Sequence, residues 1–183
     1  MTEIPTLESE RLILRGWRES DLDGFAALYE SPESRFIAGP QSRDGAWRIL
    51  ALQIGHWALR GYGNFVLETK MTKSFLGYCG PWNPLGFPEP EIGWGLLPAA
   101  RGKGYATEAA TRARQFAFET LRWPTAISLI ATDNTPSRRV AERLGAVLDG
   151  STQYRGLECG IWRHSAPSGS TLARSLSIGA TTP

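Results

Sequence analysis

Between residues 101 and 106 the chain reads Arg-Gly-Lys-Gly-Tyr-Ala, a turn with two glycines and two cations that opens into an alanine-rich helical pattern. Glycine reaches backbone conformations closed to other residues, and a helix start leaves its first amides unpartnered and carries about half a positive charge. Amides exposed in this way bind phosphate oxygens, and Arg101 and Lys103 set two full charges beside them. A plain helix-entry turn would also explain Gly102 and Gly104, so the turn alone decides nothing. Two phosphate motifs are excluded by spacing. No Ser or Thr follows the Gly-Lys pair as a P-loop requires, and Thr107 stands where the dinucleotide pattern has its third glycine.

The turn must be held by a strand before it and a helix after it. Residues 91–97 read as that strand, with Gly93 and Gly95 allowing a bulge or the close approach of a ligand. Residues 104–121 read as the helix, Ala106, Ala109, Ala110, Ala113, Phe116 and Ala117 tracing one stripe suited to a sheet surface. Upstream, alternation over 11–17 predicts a strand. Helices are predicted from a Ser20 cap to Ser31-Pro32 and over 43–60. Residues 64–69 and 74–80 form a predicted hairpin, followed by a stiff loop with Pro81, Pro84, Pro88 and Pro90. Downstream come a buried-type strand at 127–131, a helix begun by Asn134-Thr135-Pro136 and closed at Gly145, and strands over 147–154 and 157–163. This order predicts an α/β fold of the α+β kind. Its sheet would be mixed and largely antiparallel, with six to seven strands and about four helices. Residues 1–164 form the expected single domain, and 165–183, rich in Ser, Thr, Gly and Ala, an irregular C-terminal extension.

Composition narrows the function classes. A chain of 183 residues with seven Trp can bury a sizeable core, and a net charge of +2 spread along it gives no nucleic-acid surface. No long uncharged apolar run or basic leader is present, so neither membrane insertion nor export is expected, and the expected location is the cytoplasm. There Cys79 and Cys159 are expected as reduced, partly buried thiols. His56 and His164 stand alone, without the spacing of metal ligands, so no metal is expected.

These segments together resemble the GNAT superfamily of N-acetyltransferases, most closely its ribosomal-protein N-terminal acetyltransferase branch. The family signature Arg/Gln-x-x-Gly-x-Gly/Ala is met by Arg101, Gly104 and Ala106, and the branch's Glu-Ile-Gly-Tyr/Trp pattern by Glu91 to Trp94. A second element, Asn-x-x-Ser ahead of a helix ending in Leu-Gly, is met by Asn134, Ser137, Leu144 and Gly145. The resemblance covers about residues 7–163. It implies a bulged strand splayed from its neighbour, with acetyl-CoA as co-substrate in the gap. By carry-over, Leu96 and Leu97 hold the pantetheine, and Arg101, Gly102, Lys103, Gly104, Tyr105 and Ala106 cradle the phosphates. Asn134 lies near the pantetheine and Ser137 near the sulfur. A dimer is common among such proteins.

Acetyl transfer from a thioester to an amine needs a neutral amine, a polarised carbonyl and a proton for the departing thiolate. Glu91 could take the ammonium proton if burial raises its pKa, or could be an ordinary strand-edge carboxylate. A backbone N–H around Leu96 could meet the oxyanion. Many relatives protonate the thiolate with a Tyr on the later helix, but Ala141 occupies that place. Ser137 and Tyr154 are the candidates instead, the one open to reading as a helix cap and the other as packing. The usual Gly-Phe after that helix is Gly145-Ala146. Trp47, Trp57, Trp82 and Trp94 could line an acceptor pocket, although such residues are core more often than site. The acceptor, a protein N-terminus or a small-molecule amine, would meet the first two helices and the loop at 81–90, where spacing carries no code. A non-catalytic acyl-CoA-binding module is the rival reading.

Overall fold

The computed structural model describes residues 3–166. Its strands are β1 (Leu7–Glu8), β2 (Leu12–Arg15), β3 (Phe65–Thr69), β4 (Phe75–Trp82), β5 (Glu91–Leu96), β6 (Ala126–Ala131), β7 (Val147–Tyr154) and β8 (Leu157–His164). Its helices are α1 (Leu22–Glu30), α2 (Arg43–Arg60), α3 (Tyr105–Gln115) and α4 (Thr135–Arg143). The helix ends follow their cap residues. Ser42 Oγ accepts from Gly45 N at 3.2 Å to start α2, and Gly61, at φ 74°, turns the chain out of it. Asn134 Oδ1 accepts from Ser137 N at 3.3 Å to start α4. A single π-helical turn over Phe116–Thr120, with Leu121 N donating to Phe116 O, prolongs α3.

One eight-stranded sheet runs β1-β2-β3-β4-β5-β6-β8-β7, antiparallel at every seam except β5–β6. The mixed, largely antiparallel sheet expected from element order is therefore present, with one strand more than expected. That strand is β1, whose two residues are too short to show periodicity and are defined only by pairing Leu7 with Leu14. The bulge expected in β5 lies instead in β4. The register of β4 on β5 is unbroken from Gly77–Leu96 to Trp82–Glu91, while the register on β3 shifts between Leu67 and Glu68. Gly77, at φ 142°, makes that irregularity possible, since a Cβ there would sit 2.1 Å from Gly95 O. Pro81 is tolerated inside β4 because its backbone faces the β3 side beyond Phe65, where no ladder donor is required.

The main core gathers Leu12, Leu14, Phe25, Trp57, Phe65, Leu67, Ile92 and the alanine stripe of α3. A small second cluster of Ile130, Ala141, Ala146 and Trp162 lies across the β5–β6 seam, and Trp94 packs against both. The C-terminal extension, from residue 167 onward, lies outside the described residues.

Candidate active site

Strand β5 turns one backbone edge to β4 and the other to β6. Leu97 N donates to Leu76 O at 2.9 Å, so by alternation Glu91, Gly93 and Gly95 bond to β4 while Ile92, Trp94 and Leu96 face β6. On that second side only one pair, Glu91–Ile127, is in register, with Ile127 N donating to Pro90 O at 2.9 Å. The next ladder bond would join Leu129 N to Ile92 O. Side chains take both groups instead. Glu91 Oε1 accepts from Leu129 N at 2.9 Å, and Ser128 Oγ donates to Ile92 O at 2.6 Å. The sheet opens from there, leaving the amides of Trp94 and Leu96 facing the gap.

Ser128 spends its hydroxyl proton on Ile92, so His164 donates to it from Nε2 at 2.9 Å. His164 is almost fully buried, and its Nδ1 has no partner among the described residues. Burial, aided by the positive charge of Arg114, pulls its pKa down to about 4, which keeps the ring neutral. Neither Ser128 nor His164 was singled out as functional from sequence. A lone serine inside the apolar run Ala126–Ala131 was the available signal.

A cleft of about 350 Å³ opens on the face of the sheet that carries Glu91, and Ser137, Asn134 and Tyr154 line it as well. The sheet, α4 and the β7–β8 hairpin thus bring all three candidate catalytic residues to one cavity. Part of Glu91 remains accessible from the cleft. Burial nevertheless raises its carboxyl pKa to about 7, against the opposing bond from Leu129 and the more distant charge of Arg155. Ser137 Oγ accepts from Trp94 Nε1 at 3.3 Å, leaving its own proton free. The α4 cap uses the amide of Ser137 and the side chain of Asn134, so the serine hydroxyl is not the capping group. Tyr154 packs edge-to-face on Phe87, and burial raises its pKa.

Asn64 also lines the cleft. Its main-chain oxygen accepts two indole N–H groups, from Trp17 at 2.8 Å and Trp57 at 2.9 Å. Its side-chain Nδ2 donates to Gln53 Oε1 at 3.2 Å, and its Oδ1 has no partner among the described residues. Of the four tryptophans considered for this pocket, Trp82 and Trp94 line it, Trp57 is core, and Trp47 is half exposed on α2. Residues of α1, α2 and the loop at 81–90, Tyr29, Gln53 and Phe87 among them, line the cleft. The segment Pro32–Ile37 and the β7–β8 turn, which carry no periodic signal, add Arg35, Phe36 and Arg155.

At the other end, Gly102 and Gly104 adopt φ of 74° and 81°, and a Cβ at Gly102 would meet nothing within 4 Å. The first bond of α3 runs from Glu108 N to Gly104 O, so the amides of Tyr105, Ala106 and Thr107 are unspent. Among the described residues no backbone carbonyl accepts from the amides of Gly102, Lys103 or Gly104 either. The bend is braced from outside by Arg11, which donates to Lys103 O at 3.1 Å, stacks on Tyr105 at 4.6 Å and pairs with Glu108 at 2.7 Å. Sequence reading gave Arg11 only a strand position. Arg101 folds back, donating from Nε to Leu96 O at 3.1 Å and pairing with Glu33 at 3.2 Å. It therefore ties the end of β5 to the segment after α1, and the Leu97 amide is already spent on Leu76. An open row of amides and an open strand edge fit a diphosphate joined to an extended amide-bearing arm.

Residues 11–147 match the acetyltransferase (GNAT) domain, and the chain belongs to that family. An acetyltransferase from Agrobacterium tumefaciens is 34% identical in sequence, with a TM-score of 0.81 over 88% of this chain and 95% of that one. An uncharacterized N-acetyltransferase, p20, of Bacillus licheniformis is 28% identical over 155 residues, 79% of this chain and 84% of p20. A ribosomal L7/L12 alpha-N-protein acetyltransferase, RimL, solved in complex with coenzyme A, shares the fold at 17% identity, with a TM-score of 0.73 over 88% of this chain and 98% of that one. Among the described residues no helix is long and apolar enough to cross a membrane.

Proposed function

We propose that this acetyltransferase moves an acetyl group from acetyl-CoA to a primary amine by direct attack in a ternary complex. The observation that carries the reading is the half-open β5: a strand edge with unspent amides, ending on a bend with unspent amides, beside a carboxyl whose pKa lies near 7. Acetyl-CoA supplies an acyl carbon already activated as its thioester. The amides of Gly102 to Ala106, with Lys103, would hold the diphosphate, and the edge of Trp94 and Leu96 would hold the arm and meet the developing oxyanion.

Glu91 is suited to take the proton from an incoming ammonium, because a base with a pKa near the working pH is both free to accept and strong enough to hold a proton. Ser137, whose hydroxyl proton is uncommitted, is suited to supply the thiolate, with Tyr154, which also lines the cleft, as the alternative donor. The reducing cytoplasm suits the two buried, unpaired thiols of Cys79 and Cys159.

Release of free thiol from acetyl-CoA across a panel of amines tests the reading, with calorimetric titration of acetyl-CoA alongside. Turnover with saturable binding is expected. Binding without turnover of any amine would leave an acyl-CoA-binding module, and absence of binding at high micromolar concentration would remove the reading altogether.

A further inference from the structure

The cleft has two guanidinium groups on its walls. Arg35 is neutralised by Asp133 at 2.7 Å. Arg155 has no carboxylate within ion-pair range among the described residues. It occupies the first position of the two-residue turn joining β7 to β8, where Arg155 and Gly156 both have positive φ, 51° and 76°. Such a turn ordinarily selects Asn, Asp or Gly, and its rigid geometry fixes where the side chain leaves the backbone. The guanidinium lies against the Tyr154 ring, 5.2 Å from its centroid, and the residue contributes to the cleft wall.

Arg155 is exposed to solvent, and its charge also acts on groups that line the same cleft. Burial pushes the pKa of Tyr29 up to about 12 and that of Tyr78 well above the usual tyrosine range, so both hydroxyls remain protonated, that of Tyr29 donating to Ile37 O at 3.2 Å. At each of them, and at Glu91 and Tyr154, the charge of Arg155 pulls the other way. The cleft therefore pairs one carboxylate at the opened strand with one uncompensated cation and tyrosine hydroxyls on the wall.

Resting on the acetyl-transfer reading above, we infer that the acceptor is a small amine that also bears an anionic group, a carboxylate in the simplest case, held by Arg155 while the amine lies at Glu91. The two charges of such a molecule meet their complements at two separate points, which fixes its orientation. A protein N-terminus has its first α-carboxyl tied up in a peptide bond, so without an acidic side chain beside its amine it satisfies only one of them.

The test compares matched acceptors, L-phenylalanine against L-phenylalaninamide and L-methionine against L-methioninamide, with wild type and Arg155→Ala and Arg155→Lys variants, by thiol release at fixed pH. Loss of about 10- to 100-fold in kcat/KM on the carboxylates, chiefly through KM, is expected for Arg155→Ala, with the amides changed by less than about threefold and Arg155→Lys between the two. An equal loss on both classes, or none on either, would overturn the inference while leaving acetyl transfer intact. The second measurement does not need turnover: calorimetric binding of N-acetyl-L-phenylalanine and of its amide. Arg155-dependent preference for the carboxylate would uphold the anion site even in a protein that acetylates nothing. Equal binding of the two, or no binding of either, would overturn it.

Discussion

Strand β5 has two edges made by the same six residues, and they behave differently. Toward β4 every residue from Glu91 to Leu96 is in register; toward β6 only Glu91 is. The closed seam depends on glycines, Gly77 and Gly95, which let backbone and the Tyr78 ring approach closely. The open seam depends on side chains, Glu91 and Ser128, which take the ladder groups that the departing strand can no longer reach. An opening in a sheet is thus a place where polar side chains stand in for main chain. One of those side chains, Glu91, also lines the cleft.

The open seam is broken most severely at Glu91. Glu91→Gln keeps an oxygen for Leu129 N but removes the base, so kcat should fall by about 10²- to 10⁴-fold with the affinity for acetyl-CoA unchanged. Wild-type kcat/KM should rise with pH through about 7, where the carboxyl ionises, and the variant should lose that limb. Stability carries the same signature with the opposite slope. The folded pKa lies above the ordinary 4.5, so the native state holds its proton longer, and wild-type stability should decline as pH rises from about 4.5 to 7. Denaturant titrations of wild type and variant over that range check the difference.

The closed seam should fail at Gly77→Ala, whose Cβ would meet Gly95 O at 2.1 Å. A loss of about 3 kcal/mol or more by chemical denaturation is expected. Ser128→Ala leaves Ile92 O and His164 Nε2 without partners and should cost about 1–3 kcal/mol, with a raised KM for acetyl-CoA as the seam relaxes. Ser137→Ala should have the smallest effect on stability, under about 1 kcal/mol, because the α4 cap uses its amide; a kcat reduced about tenfold would then report the hydroxyl's part in proton supply.

The bend at 101–106 was legible because it is made of backbone. A bend of glycines before an alanine stripe follows from residue type alone, and so do the strands and helices whose periodicities fix them. The cleft was legible only where a single residue type suggests a role, as Glu91 does. Arg11, Ser128 and Arg155 come to the site through contacts between segments distant in the chain, or through a two-residue turn, and no local pattern encodes such contacts. β1 was invisible for the same reason, being defined by its partner and not by its own two residues. The displaced bulge has another cause: Gly93 and Gly95 stay in register, Gly95 using its missing side chain to admit the Tyr78 ring, whereas Gly77 carries the irregularity from within ordinary hairpin sequence.

The oxygen of Asn64, gripped by two indoles from separate parts of the chain, has an evolutionary consequence. Because the anchor is main chain, a substitution at position 64 does not itself remove it, but the buried Asn64 side chain also donates to Gln53 Oε1 at 3.2 Å, so the exchanges open to evolution are those of similar size that still satisfy Gln53 while Trp17 and Trp57 keep the segment in place.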